Sequence, residues 1–344
     1  MSRSIGLTIG KYAPLHAGHQ RVIETALAEM DEVLAVIYDS PEVIDVPLQV
    51  RAGWLRELYP RLRVLEAWDG PNDFGDTPAI KHKQERYILK LLNGQTITHF
   101  YSSEFYGDHM SRALHAVNRL VDPQRQVVPV SGTAIRANTY ALRNYVHPHV
   151  YRDLVTNIVL LGAPSTGKTT LAARLADEYH TAWMPEYGRE YWDAHQVNHR
   201  LSLEQLVDLA EGHLQREEQV LGAADTYLFT DTNALTTRLF SLYYHGRVLP
   251  RLEELAGLAA ARYDLVLVCD TDIPYEDSID RSGDANRQVF QKQVLADLAD
   301  RRIPYIWARG SLEERVRQVR AVLARFRKYQ NYFGVEARSH AGLL

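Results

Sequence analysis

Short apolar runs that end in glycine recur along this chain, each followed by a stretch whose apolar positions fall at helical spacing. Ser4-Ile5-Gly6-Leu7-Thr8-Ile9-Gly10 is the first, and a run of this kind fits a strand buried on both faces of a parallel sheet. From residue 19 to 30, Val22, Ala26 and Met30 share one face, which predicts an amphipathic helix. Residues 33–38 form a second strand and complete an early βαβ unit. Residues 97–102 and 126–130 are further predicted strands. The pattern then restarts at Asn157-Ile158-Val159-Leu160-Leu161-Gly162. A helix over 168–179 follows, with strands over 227–230, 265–269 and 305–308. Two successive patterns of this kind predict an α/β protein with two doubly wound parallel-sheet domains. The boundary is expected within 147–156, where His147-Pro148-His149 interrupts the helical pattern. That gives domains over 1–152 and 153–332, with 333–344 a flexible tail.

Composition sharpens this only a little. The chain has 344 residues, long enough for two domains. Its 46% hydrophobic and 24% charged content excludes a disordered chain. No apolar run approaches the roughly 20 residues that cross a bilayer, and the N-terminus lacks a secretory apolar stretch. A single cysteine, Cys269, excludes an intrachain disulfide and fits a reducing, cytoplasmic setting. A net charge of -4 gives no general attraction to nucleic acid or anionic membrane.

The strongest local signal is Gly162-Ala163-Pro164-Ser165-Thr166-Gly167-Lys168-Thr169, which fits G-x-x-x-x-G-K-[ST] at every fixed position. It lies between an apolar strand and a helix, the context in which such a loop wraps phosphates with inward-pointing amides. Lys168 would reach the outer phosphates, and the Thr169 hydroxyl would bind Mg2+. Asp231 closes the strand over 227–230, where a metal-side acid would stand; a helix cap after Thr232 is the alternative. Glu186-Tyr187-Gly188-Arg189-Glu190 groups opposite charges around a glycine, suited to a hydroxylated acceptor or to a solvated surface. Arg281 and Arg287 lie in a polar segment, 277–287, that reads as an arginine-bearing lid or a surface loop.

The first domain carries a different signal, Gly10-Lys11-Tyr12-Ala13-Pro14-Leu15-His16-Ala17-Gly18-His19. His16 and His19, three apart at a helix start, share a face and can hydrogen-bond phosphate oxygens without a fixed charge. A metal pair is the rival, and it lacks a nearby third ligand. Ser131-Gly132-Thr133-Ala134-Ile135-Arg136 supplies hydroxyls and a cationic fork to the same edge of the sheet. An ordinary helix cap with a surface arginine is the plain alternative.

Together these residues resemble known enzymes. Gly10 to His19 and Ser131 to Arg136 resemble the HxGH nucleotidyltransferases, and Gly162 to Thr169, Glu186 to Glu190 and Asp231 resemble the P-loop nicotinamide riboside kinases. Their order resembles the bifunctional NadR family, over roughly residues 4–328. The resemblance implies an NAD biosynthesis and salvage enzyme. It would phosphorylate nicotinamide riboside and then transfer an adenylyl group from ATP to nicotinamide mononucleotide, giving NAD and pyrophosphate. It implies that Gly10, Lys11, His16, His19, Ser131, Thr133 and Arg136 bind ATP for adenylyl transfer. Gly162, Ser165, Thr166, Gly167, Lys168, Thr169, Thr170, Arg281 and Arg287 would bind ATP in the kinase. Glu186, Tyr187, Arg189 and Asp231 would hold the riboside, with Thr169 and Asp231 on Mg2+ and one of the two carboxylates taking the hydroxyl proton.

This sequence departs from the family at three points. Some members begin with a helix-turn-helix domain, whereas this chain starts on the first strand, so no DNA binding is expected. The segment that often reads Asp-Thr-Asp is Asp231-Thr232-Asn233 here. The segment 277–281 matches loosely, which makes Arg281 a weaker assignment than Arg287. A homo-oligomer is compatible with the sequence but not read from it. The alternative function is a riboside kinase whose first domain is weakly active or senses nucleotides. A purely regulatory scaffold would tolerate loss of His16, His19 or Lys168, and all three are intact.

Overall fold

Strands dominated by Val, Leu and Ile form two separate parallel sheets. A computed structural model describes residues 3–71, 73, 75–104, 107–197, 200–274 and 284–330. Five strands build the first sheet: β1 (Ile5–Gly10), β2 (Glu32–Tyr38), β3 (Leu62–Ala67), β4 (His99–Ser102) and β5 (Val117–Leu120), in the order β3-β2-β1-β4-β5. Five more build the second: β6 (Thr156–Leu161), β7 (Trp183–Met184), β8 (Tyr227–Asp231), β9 (Leu265–Cys269) and β10 (Ile306–Ala308), in the order β10-β9-β6-β8-β7. The chain divides into compact units after Leu154.

In each sheet the first strand is central and the order reverses beside it, so both are doubly wound. Loops at the carboxyl ends of the central strands therefore open into a crevice, the usual ligand position in such sheets. The period of two explains why those strands are apolar throughout. Val159 and Leu161 face one buried cluster with Leu206, Leu209 and Val294, whereas Ile158 and Leu160 face another with Leu171, Leu175 and Val319. Truncating Ile158, Leu160 or Leu161 to alanine would cost about 2–5 kcal/mol.

Two expectations fail. Residues 126–130 are not a strand, because the Asp122 carboxylate accepts from the amides of Gln126, Val127 and Val128 and curls the segment. The edge strand is instead β5, whose Val117 and Leu120 are exposed and so carry no alternating pattern. Pro148 does not interrupt a helix but opens one, Pro148–Leu154, with His147 Nδ1 accepting from the His149 amide at 3.1 Å. Proline suits that first position because it has no N–H to leave unpaired. The expected tail at 333–344 lies outside the described residues. Among the described residues no helix is long and apolar enough to cross a membrane.

Candidate active sites

After β1 the chain turns sharply: Tyr12 is buried with φ 47°, and the helix Ala17–Glu29 starts from His16. The His16 Nδ1 caps that helix by accepting from the Gly18 amide at 3.1 Å. An accepting Nδ1 puts the ring proton on Nε2, which faces the Ser131 motif; a Cβ added to Gly132 would lie 3.8 Å from it. The His19 ring stacks on His16 at 3.8 Å between centroids, with Tyr12 edge-on at 5.0 Å. Burial first, then the charges of Arg125 and Arg136, push the His16 imidazole down to about 4. Burial, His16 and the same two arginines depress His19 well below the usual range. Both rings are therefore neutral at pH 7, and the free ring N–H is that of His16 Nε2, because His19 hydrogen-bonds the Pro14 backbone.

The second motif meets the first through Arg136. Its Nη1 donates to the Ala13 carbonyl at 2.6 Å and its Nη2 to Thr133 Oγ1 at 3.1 Å. Ser131 caps its short helix by accepting from the Ala134 amide, so the capping role is real and coexists with a place beside His16. Lys11 pairs with Glu42 at 2.8 Å. Among the described residues no three or more His, Cys, Asp and Glu side chains group as metal ligands. Arg125, which bears on both histidines, carried no motif and went unread.

In the second unit, Gly162 (φ 140°) passes so close to β9 that an added Cβ would lie 2.7 Å from the Cys269 carbonyl oxygen. Ser165 (φ 58°) and Gly167 (φ 78°) complete the turn. Buried Thr166 donates to the Ala163 carbonyl at 2.8 Å, and Lys168 Nζ reaches the same carbonyl at 2.9 Å. Three buried side chains missed in the sequence, or misread, hold this loop from behind. Gln291 accepts from the Ala163 amide and donates to the Cys269 carbonyl. Arg315 Nη1 donates to the Thr166 carbonyl at 2.5 Å, while its Nη2 pairs with Asp272. Arg287, expected on a lid, lies buried in the helix Asp284–Asp300 and donates to the Ser165 and Ile273 carbonyls. Arg287 and Gln291 sit one helical turn apart, a weak signal that could have been read. Arg315 had none. Arg281 and most of 277–287 lie outside the described residues. Thr170 is exposed on the first turn after Lys168.

Asp231 is fully buried at the end of β8 and accepts from Thr169 Oγ1 at 2.5 Å. Its other oxygen has no hydrogen-bond partner. Burial raises its carboxyl to about 6, with Glu186 adding to the rise and Lys168, Thr169 and Arg189 opposing it. The following helix is capped by Asn233, whose Oδ1 accepts from the Leu235 amide at 3.0 Å. Capping therefore leaves Asp231 out. Tyr187 packs against Gly212 with Arg216 over its ring at 3.9 Å. Glu190 is drawn onto that same Arg216 by two 2.8 Å bonds, so Glu186 and Arg189, not Glu190, accompany Asp231.

Comparison with known proteins covers both units. Residues 157–315 match the family model described as AAA domain. The "Trifunctional NAD biosynthesis/regulator protein NadR" of Escherichia coli (strain K12) is 27% identical over 88% of this chain and 78% of its own. Phosphopantetheine adenylyltransferase of Streptococcus sanguinis is 23% identical over 45% of this chain and 95% of its own. A NadR crystal structure with NAD and AMP-PNP superposes with TM-score 0.54, covering 94% of this chain and 96% of that one at 24% identity.

Two outcomes follow from the geometry. Gly162→Ala forces a Cβ onto a carbonyl at a φ that L residues avoid, so its nucleotide affinity at the second site should fall at least about tenfold and its stability by about 1–3 kcal/mol. Calorimetric titration and denaturant unfolding check this. For His16 the unfolded chain takes up a proton near pH 6.5, the folded one only near 4. Its contribution to stability is complete above 6.5 and is lost as pH falls toward 4. The free energy of unfolding should fall through that window by about 3 kcal/mol for this group, and His16→Gln should flatten the fall.

Proposed function

We propose that this chain, a homologue of the NadR proteins, phosphorylates nicotinamide riboside in its second unit and adenylylates nicotinamide mononucleotide in its first. What supports the reading most is the presence on one chain of two phosphate turns of different chemistry. One has neutral stacked histidines, the other a lysine beside a buried aspartate.

In the kinase step the riboside 5′-hydroxyl oxygen attacks the γ-phosphorus of ATP, and the bond to the β-bridging oxygen breaks to release ADP. Lys168 and the loop amides hold the β- and γ-phosphates. The partnerless oxygen of Asp231, beside the Thr169 hydroxyl, fits a Mg2+ ion held by these two residues. Such an ion would neutralise charge on the phosphates. With Asp231 tied to Thr169, Glu186 is the carboxylate left to receive the hydroxyl proton, and Arg189 and Tyr187 flank the acceptor.

In the transferase step a phosphate oxygen of the mononucleotide attacks the α-phosphorus of ATP, and pyrophosphate leaves. No proton has to move to or from a side chain, so the enzyme's work is to orient two anions and stabilise the added charge. His16 Nε2, with His19 stacked beneath it, donates without a fixed charge, while Arg136 and Lys11 add the cationic component.

Product analysis with ATP, Mg2+ and nicotinamide riboside tests the assignment. Lys168→Ala should cut mononucleotide formation at least about a hundredfold and leave adenylylation of supplied mononucleotide unchanged; His19→Ala should do the reverse. Mononucleotide that accumulates without NAD in the unsubstituted protein would reduce the first unit to a nucleotide sensor. Loss of both steps in both variants would show that the sites are not independent.

A further inference from the structure

We infer that Arg51 is a positioning residue for adenylyl transfer, a buried fork that fixes the main chain of Lys11 and the loop carrying Glu42 in one frame. The inference rests on the transferase reading above. Arg51 belongs to the helix Leu48–Leu58 and is fully buried, a setting in which a guanidinium needs a structural reason. Every nitrogen is used. Nε donates to the Val46 carbonyl at 2.9 Å. Nη1 donates to the Lys11 carbonyl and, at 3.0 Å, to the Tyr38 carbonyl. Nη2 lies 3.5 Å from Asp39 Oδ1.

These acceptors come from three separate segments: the turn after β1, the end of β2 and the loop that follows it. The helix bearing the fork is itself held, because Trp54 on its next turn is buried and donates to Asp153 at 2.7 Å. Arg51 therefore acts as a rigid bracket at the carboxyl edge of the sheet.

Its effect falls on Lys11. The Lys11 carbonyl is on the Arg51 fork while the Lys11 ammonium pairs with Glu42 at 2.8 Å. The same fork holds Val46, four residues from Glu42. The ion pair thus joins a residue whose carbonyl the fork holds to a loop that the fork holds at Val46. A triphosphate arriving at His16 would take the ammonium from Glu42 by side-chain rotation alone. Without the bracket, the turn would have to be ordered anew on each binding event, and the loss would appear in affinity for ATP. Lysine at position 51 would keep the charge, but a single ammonium cannot reproduce the planar fork whose three nitrogens reach four acceptors.

A double-mutant cycle between Arg51 and Lys11 tests the role, with NAD formation from mononucleotide as readout. Arg51→Gln should raise KM for ATP about tenfold or more, since small misplacements of a binding group carry such costs, and leave the kinase step unchanged. Lys11→Met should add little in the Arg51→Gln background, because its ammonium is no longer placed. Arg51→Lys should fold, as thermal unfolding would show, without recovering KM; it carries the cycle if the glutamine variant does not fold. Independent, multiplying effects, or full recovery by Arg51→Lys, would overturn the inference. An unsubstituted protein that forms no NAD would refute the transferase reading alone. The cycle is then read on binding of a non-hydrolysable ATP analogue in a Lys168→Ala background, where additivity would again overturn the role of Arg51.

Discussion

A polyphosphate can be gripped by main-chain amides only where the backbone comes close, and it comes close only where carbonyls are turned away and held. The rest of this structure depends on that constraint. At Gly162 the loop runs against β9 with no room for a Cβ. The carbonyls of Ser165, Thr166 and Ala163 then point backward, onto Arg287, Arg315, Lys168 and Thr166. A buried carbonyl left unsatisfied costs about 1–3 kcal/mol, so these buried arginines are a condition of the loop's shape. The first unit meets the same constraint with other residues. Arg136 takes the Ala13 carbonyl and Arg51 the Lys11 carbonyl, and the turn that presents His16 and His19 hangs between them.

The two turns differ in what they offer the phosphates. Around His16 the rings are neutral, because burial and two nearby arginines keep protons off. Under the proposed transfer, the neutral N–H of His16 would hold an α-phosphate without adding a fixed charge. Around Lys168 the groups are an ammonium and a buried aspartate, raised by burial to about 6, that stands by the hydroxyl of Thr169. Under the proposed chemistry the first arrangement suits cleavage between the α- and β-phosphates and the second suits transfer of the γ-phosphoryl group. Under that same proposal the mononucleotide made at the second turn is the substrate of the first.

What could be read from sequence was whatever local pattern determines. Central strands β1, β6 and β9 are apolar on both faces and announce themselves; the edge strand β5, exposed on both sides, does not. The phosphate loop and the histidine turn are short, contiguous and dictated by backbone geometry, so their residues were legible. The framing side chains were not, since Arg51 and Arg315 act on turns far from them in sequence and belong to no motif, and neither was Arg125, whose charge bears on both histidines. Arg287 was found for the wrong reason. Its polar neighbourhood suggested a lid, while its burial against Ser165 makes it part of the loop's frame. Asn233 shows the converse: a side chain read only as a missing acid caps the helix that follows.

Under the proposed function, one chain breaks ATP at two different bonds in sequence. The direct measurement follows ATP labelled separately at the α- and γ-phosphates through a reaction started from nicotinamide riboside. Each NAD formed should carry one phosphorus from each position, with one ADP and one pyrophosphate released alongside it. Label from the γ-position alone, trapped in mononucleotide with ADP and no pyrophosphate, would contradict it.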